Sequence, residues 1–148
     1  MIYEREYNVS DLEDGFEVVL KEDSDYVIFC SMRNGIYCDE IERPKNEEIN
    51  AVKDAVLSLF QLTLSSLHSI DGEQMPAIAL QSLFYYSASE LFRHAVGMCV
   101  KQKNELSQTR NAFAFRIYFY VLQRFLEDFF YDGDRLEVVT INYDKEYD

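Results

Sequence analysis

Between Ile49 and Phe130 apolar residues recur at three- and four-residue steps, whereas on either side of that stretch they alternate with polar ones. The first pattern predicts amphipathic helices and the second half-buried strands. In NEEINAVKDAVLSLFQLTLSSLHSI, residues Ile49, Val52, Val56, Leu59, Phe60, Thr63, Leu67 and Ile70 fall on one helical stripe. Asn46, followed by Glu47 and Glu48, suits its start: an amide can cap the free N–H groups, and carboxylates favour the positive end of the helix. Asp71-Gly72 predicts a turn, and Pro76 the first turn of a second helix. That helix aligns Leu80, Leu83, Phe84, Leu91, Phe92, Ala95 and Cys99, and ends near KQKNELS, where Asn104 and Ser107 are candidate caps for a third. The third helix carries Phe113, Phe115, Ile117, Phe119, Val121, Leu122, Phe125, Leu126, Phe129 and Phe130 around almost its whole circumference. Such a helix is buried on several sides, either as the centre of the domain or in an oligomer interface. Gly133 in YDGD suits its stop.

The flanks read as strands: FEVVL, DYVIFCSM and IYCDEI before the helices, and LEVVTINY after them. Asn34-Gly35 between two β-rich runs is a hairpin signal. A three-residue loop, Arg33 to Gly35, pairs Met32 with Ile36 and Cys30 with Cys38; a two-residue loop pairs Ser31 with Cys38. The first register gives the more continuous apolar face, Tyr26, Ile28, Cys30 and Met32 beside Ile36 and Cys38. The expected order is β-β-β-α-α-α-β. This is an α+β fold in which three consecutive helices cover one face of an essentially antiparallel sheet. A chain of 148 residues suits a single domain over 1–148.

Charge changes this picture. The net charge is -13, but it is unevenly spread: residues 1–48 carry -9, residues 49–131 are neutral, and residues 132–148 carry -4. On this reading the acids sit on the strands and their turns, many in i, i+2 pairs such as Asp11/Glu13 and Asp23/Asp25. Within a strand such a pair points the same way, about 6.8 Å apart. A solvated sheet face explains polarity, yet a mixture of Lys and Glu would serve solubility equally well, so the sign of the charge stays open to a functional reading. A chain this acidic repels nucleic acid and anionic membranes and attracts basic protein surfaces. No apolar run approaches the ~18 residues of a membrane span, and the start lacks the pattern of a secretory signal, so a cytoplasmic location is expected.

Catalytic and metal chemistry find little support. Cys30, Cys38 and Cys99 form no CxxC pair, and with only His68 and His94 a zinc site lacks ligands at useful spacing. Asp71-Gly72-Glu73 and Asp132-Gly133-Asp134 do not continue as calcium loops, and there is no phosphate loop, nucleophile elbow or HExxH. Glu90 and His94 share a helix face but need a third group. Lys101, Lys103, Arg110, Arg116 and Arg124 read as a solvated helix face. No catalytic residue, metal ligand or cofactor is assigned.

The expected function is that of a non-enzymatic binding or inhibitor protein engaging a basic surface on a partner. The partner class that fits is a nucleic-acid-handling enzyme, a defence complex or a toxin whose groove is lined by Lys and Arg. Phage counter-defence and immunity proteins share this size and acidity, an analogy of composition alone. The expected binding residues are Asp11, Glu13, Asp14, Glu22, Asp23 and Asp25, then Asp144, Glu146 and Asp148. One alternative is a small dimeric chaperone or adaptor that binds through apolar surface. Another is a ligand-binding or enzymatic domain with Tyr85, Tyr86, Glu90 and His94 near a pocket. A homodimer is compatible with all three.

Overall fold

Strand β6 (Val138–Asn142) is the axis of the first sheet, because its middle residues Val139, Thr140 and Ile141 are all buried. The computed structural model describes residues 3–22, 26–32, 36–42, 49–101, 105–131 and 135–143. β6 pairs in parallel with β1 (Glu4–Asn8), from Glu4 opposite Val138 to Asn8 opposite Asn142. On its other side it pairs antiparallel with β5 (Gln74–Pro76), giving the order β1-β6-β5. The Tyr3 carbonyl secures the entry by accepting from the Glu137 and Val138 N–H groups at 2.7 and 3.1 Å. A second, antiparallel sheet comprises β2 (Val19–Glu22), β3 (Tyr26–Met32) and β4 (Ile36–Glu42). Its register sets Cys30 opposite Cys38 and Met32 opposite Ile36, as a three-residue loop requires. Residues 33–35 themselves lie outside the described residues.

Four helices complete the α+β fold among the described residues: α1 (Val9–Gly15), α2 (Ile49–Ser66), α3 (Ala77–Lys101) and α4 (Glu105–Phe129). The stripe of α2 is buried at Val52, Val56, Phe60, Thr63 and Leu64. α3 buries Leu80, Phe84, Ser87 and Ala88. From Phe113 to Phe129 α4 leaves one stripe exposed, Arg116, Tyr120, Gln123 and Glu127, and buries most of the rest against α2, α3 and β3, which makes this largely apolar helix the centre of the domain. Its one buried phenol is satisfied in place. Thr63 donates to the Leu59 carbonyl at 2.8 Å, which leaves the Tyr118 hydroxyl to donate to Thr63 at 2.6 Å. Burial raises the Tyr118 pKa far above that of an ordinary phenol, keeping it a donor.

The layout departs from the single antiparallel sheet that the sequence suggested. Among the described residues there are two sheets, and the first is mixed, because β6 joins β1 in parallel rather than the N-terminal hairpins. β1 escaped notice because, as an edge strand, it buries only Tyr7 among charged neighbours. Pro76 does not open a helix. It ends β5, an edge position that tolerates its missing N–H, and α3 begins one residue later. Ser107 is the third residue of α4 rather than the residue before it, while Asn46, Asn104 and Gly133 lie outside the described residues. The Asp71-Gly72 turn is present: Gly72 has φ +75°, a left-handed conformation that suits glycine, and its N–H donates to Ile141 O at 2.9 Å.

An aromatic cluster joins the N-terminal segment to the helices. Phe16 lies flat on Phe60, with centroids 4.0 Å apart and an interplanar angle of 4°. It meets Phe125 and Tyr118 edge-on at 5.6 and 5.9 Å. Tyr7 sits 4.1 Å from Phe129 and donates its hydroxyl to the Phe129 carbonyl at 3.1 Å. Truncating Phe16 to Ala is expected to cost about 3–5 kcal/mol in urea unfolding. Ile78→Ala, at a side chain 69% exposed, should change stability by no more than about 0.5 kcal/mol.

Candidate functional site

The acids expected to bind a partner divide into two groups. Asp11, Glu13 and Asp14 lie on α1, a helix rather than the strand or turn anticipated, so Asp11 and Glu13 do not form a same-face strand pair. Leu12 is the buried residue of this helix. At roughly 100° per residue its inward direction leaves Asp11 and Glu13 on the flanks and Asp14 on the far side. All three are exposed, and Glu4, Glu6 and Glu17 are exposed beside them, with Arg5 the only base between Tyr3 and Val18. Asp11 also has a structural task, since its carboxylate accepts from the Asn8 N–H at 2.9 Å, helping to start α1. Glu22 closes β2 opposite Val27. Asp23, Asp25, Asp144, Glu146 and Asp148 lie outside the described residues.

The second candidate is a cleft of about 500 Å³ between the end of α2 and the middle of α3. Its apolar wall is Leu67, Ile70, Leu83 and Leu91; its polar groups are Ser66, Ser69, Tyr86, Ser87, Glu90 and His94. A tight turn builds one side. Beyond Ser66 the chain closes Leu67 N–H onto Leu64 O and Ile70 N–H onto Leu67 O, at 3.1 and 3.0 Å, burying Leu67 and Ile70. Helical spacing builds the other, because Leu83, Ser87, Leu91 and His94 recur along one face of α3. Ser87, 6% exposed, hydrogen-bonds Ser66 across the cleft, and Ser66 donates to Thr63 O at 2.7 Å.

The spacing of Glu90 and His94 thus brings both to one cleft with Tyr86, as the ligand-binding alternative required, whereas Tyr85 faces a separate hollow with Gln81, Tyr131 and Arg135. Glu90 pairs with Arg93, and Ser87 pairs with Ser66 rather than with His94, so no nucleophile–base couple is assembled there. Sequence reasoning missed the pairing of Ser66 with Ser87. Both stand on faces that look like ordinary polar helix positions, and only the approach of α2 to α3 makes them neighbours. Among the described residues, no group of three His, Cys, Asp or Glu side chains is placed to hold a metal ion, and no helix is long and apolar enough to cross a membrane.

The turn forming the cleft wall is latched from behind by Tyr143. Its hydroxyl donates to the Leu64 carbonyl, its N–H donates to the Asp71 carboxylate at 2.8 Å, and its ring lies 4.5 Å from that of His68. Comparison with family models, characterised proteins and solved structures finds no match for the chain.

Burial, reinforced by the Asp71 charge, pushes the Tyr143 phenol up to about 12 from 10.0. A group whose folded pKa is raised gives stability that is present below its unfolded pKa and lost as pH climbs through the folded one. Unfolding midpoints measured from pH 8 upward should therefore fall between about pH 10 and 12. Tyr143→Phe should start about 0.5–1.5 kcal/mol lower at pH 8 and show a shallower alkaline decline.

Proposed function

We propose that the protein is a non-enzymatic binding protein whose N-terminal acidic segment engages a basic surface on a partner protein. One observation carries this reading: over residues 3–18 all six carboxylates are exposed, against a single arginine. Their field supports long-range attraction to Lys- and Arg-rich surfaces, and β1 and α1 present all but Glu17 on a frame tied to the core through Tyr7, Leu12 and Phe16. A nucleic-acid-handling enzyme or toxin, with a groove shaped to hold phosphates, is the partner class whose chemistry fits. The inhibition would be competitive, carboxylates standing where phosphates bind. The adaptor alternative has less to draw on, since the aromatics of α4 from Phe113 to Phe129 are spent on the core, apart from the half-buried Phe119 and the exposed Tyr120.

The test is capture of partners from host lysate, eluted by rising salt, with the wild type beside the triple variant Glu13→Lys, Asp14→Lys, Glu17→Lys. Asp11 is left intact because it starts α1. A basic partner that leaves between about 0.2 and 1 M salt, and that the variant fails to capture while melting normally, is the expected outcome. Equal capture by the two proteins would refute the reading.

A further inference from the structure

We propose that the cleft between α2 and α3 is a binding site for a small amine carrying an apolar body. The class of ligand follows from counting protons. A hydroxyl has one hydrogen to donate and two lone pairs to accept with. Ser66 spends its hydrogen on the Thr63 carbonyl, so in the bond between the two serines Ser87 is the donor. Both hydrogens are then used, and what remains on the pair is acceptor capacity alone. Ser87 is almost fully buried, so a ligand that cannot donate leaves these lone pairs unmatched.

Glu90 points to the same chemistry. It lines the cleft one turn from Ser87, and Arg93, which does not line the cleft, occupies its Oε1. Oε2 remains for a second cation. The Tyr86 ring, 64% exposed, stands at the lip, where an aromatic face favours a cationic centre. Leu67 and Ile70 from the turn, with Leu83 and Leu91 from α3, offer an apolar wall, and the volume is that of an ordinary small-molecule site. An anion meets acceptors at the Ser66–Ser87 pair with a carboxylate beside them, and finds donors only at the exposed Ser69, Tyr86 and His94. This site is independent of the acidic segment, so neither reading depends on the other.

Three probes of one shape decide the matter: 4-phenylbutylamine, 4-phenylbutanol and 4-phenylbutyrate, titrated into the isotope-labelled full chain at about 0.15 M salt to suppress general attraction to the net negative charge. The expected result is saturable amide shifts confined to Ser66–Ile70 and Leu83–His94, with the amine at least about tenfold tighter than the carboxylate. Ser87→Ala and Glu90→Gln should each weaken the amine about threefold or more. Leu83→Trp, which fills the cleft, should abolish binding of all three probes. Thermal melts of each variant establish that it is folded. Equal affinity for amine and carboxylate overturns the proposal, as does amine binding that survives Leu83→Trp in a folded variant. Shifts centred on α1, or no saturable binding by any probe at millimolar concentration, overturn it equally.

Discussion

The stack of Phe16 on Phe60 is the contact through which the N-terminal segment becomes part of the domain. A helix as short as α1, with one buried leucine, has little stability of its own. It holds its place because Leu12 and Phe16 are drawn into a core already organised by α2 and α4. Burying Phe16 fixes the direction in which α1 leaves β1, and that direction sends its carboxylates outward. The cost of placing several like charges along one short segment is thus met by apolar packing on its hidden side.

The two halves of the charge pattern have different physical settings. On the helices, acids and bases lie within a turn of one another: Glu90 beside Arg93, and Arg124 near Glu127 and Asp128 at 3.6 and 3.5 Å. Such exposed pairs contribute little to stability, but they neutralise the field around the helical layer. The segment from Tyr3 to Val18 has one arginine among six acids and stays strongly negative. The chain is therefore electrically lopsided in space as well as in sequence, a property that suits orientation of an approaching basic surface.

Legibility from sequence followed the amount of apolar surface each element buries. The stripes of α2 and α3 and the wrapped α4 declare themselves because each commits many residues to the core. The β3–β4 register was also readable, since a slip by one residue reverses every side chain. β1, α1 and β5 were not readable, for they bury Tyr7, Leu12 and a half-covered Met75, too few for any periodicity to emerge. The cleft was half readable. Helical spacing alone places Glu90 and His94 together, but the Ser66–Ser87 bond belongs to the packing of two helices, which no local pattern encodes.

The parallel union of β1 with β6 also dictates an order of assembly. β6 follows its two neighbours in the chain yet takes the central place between them. Until it is made, β1 and β5 have no strand to pair with, and the first sheet does not exist. Closing it requires segments from opposite ends of the described chain to meet, a non-local step that slows folding. During synthesis the helices can therefore collapse early around α4, with Leu12 and Phe16 free to join them, while β1 waits for its partner strand. Each new molecule therefore carries β1, with Glu4 and Glu6, without a strand partner until β6 has been made.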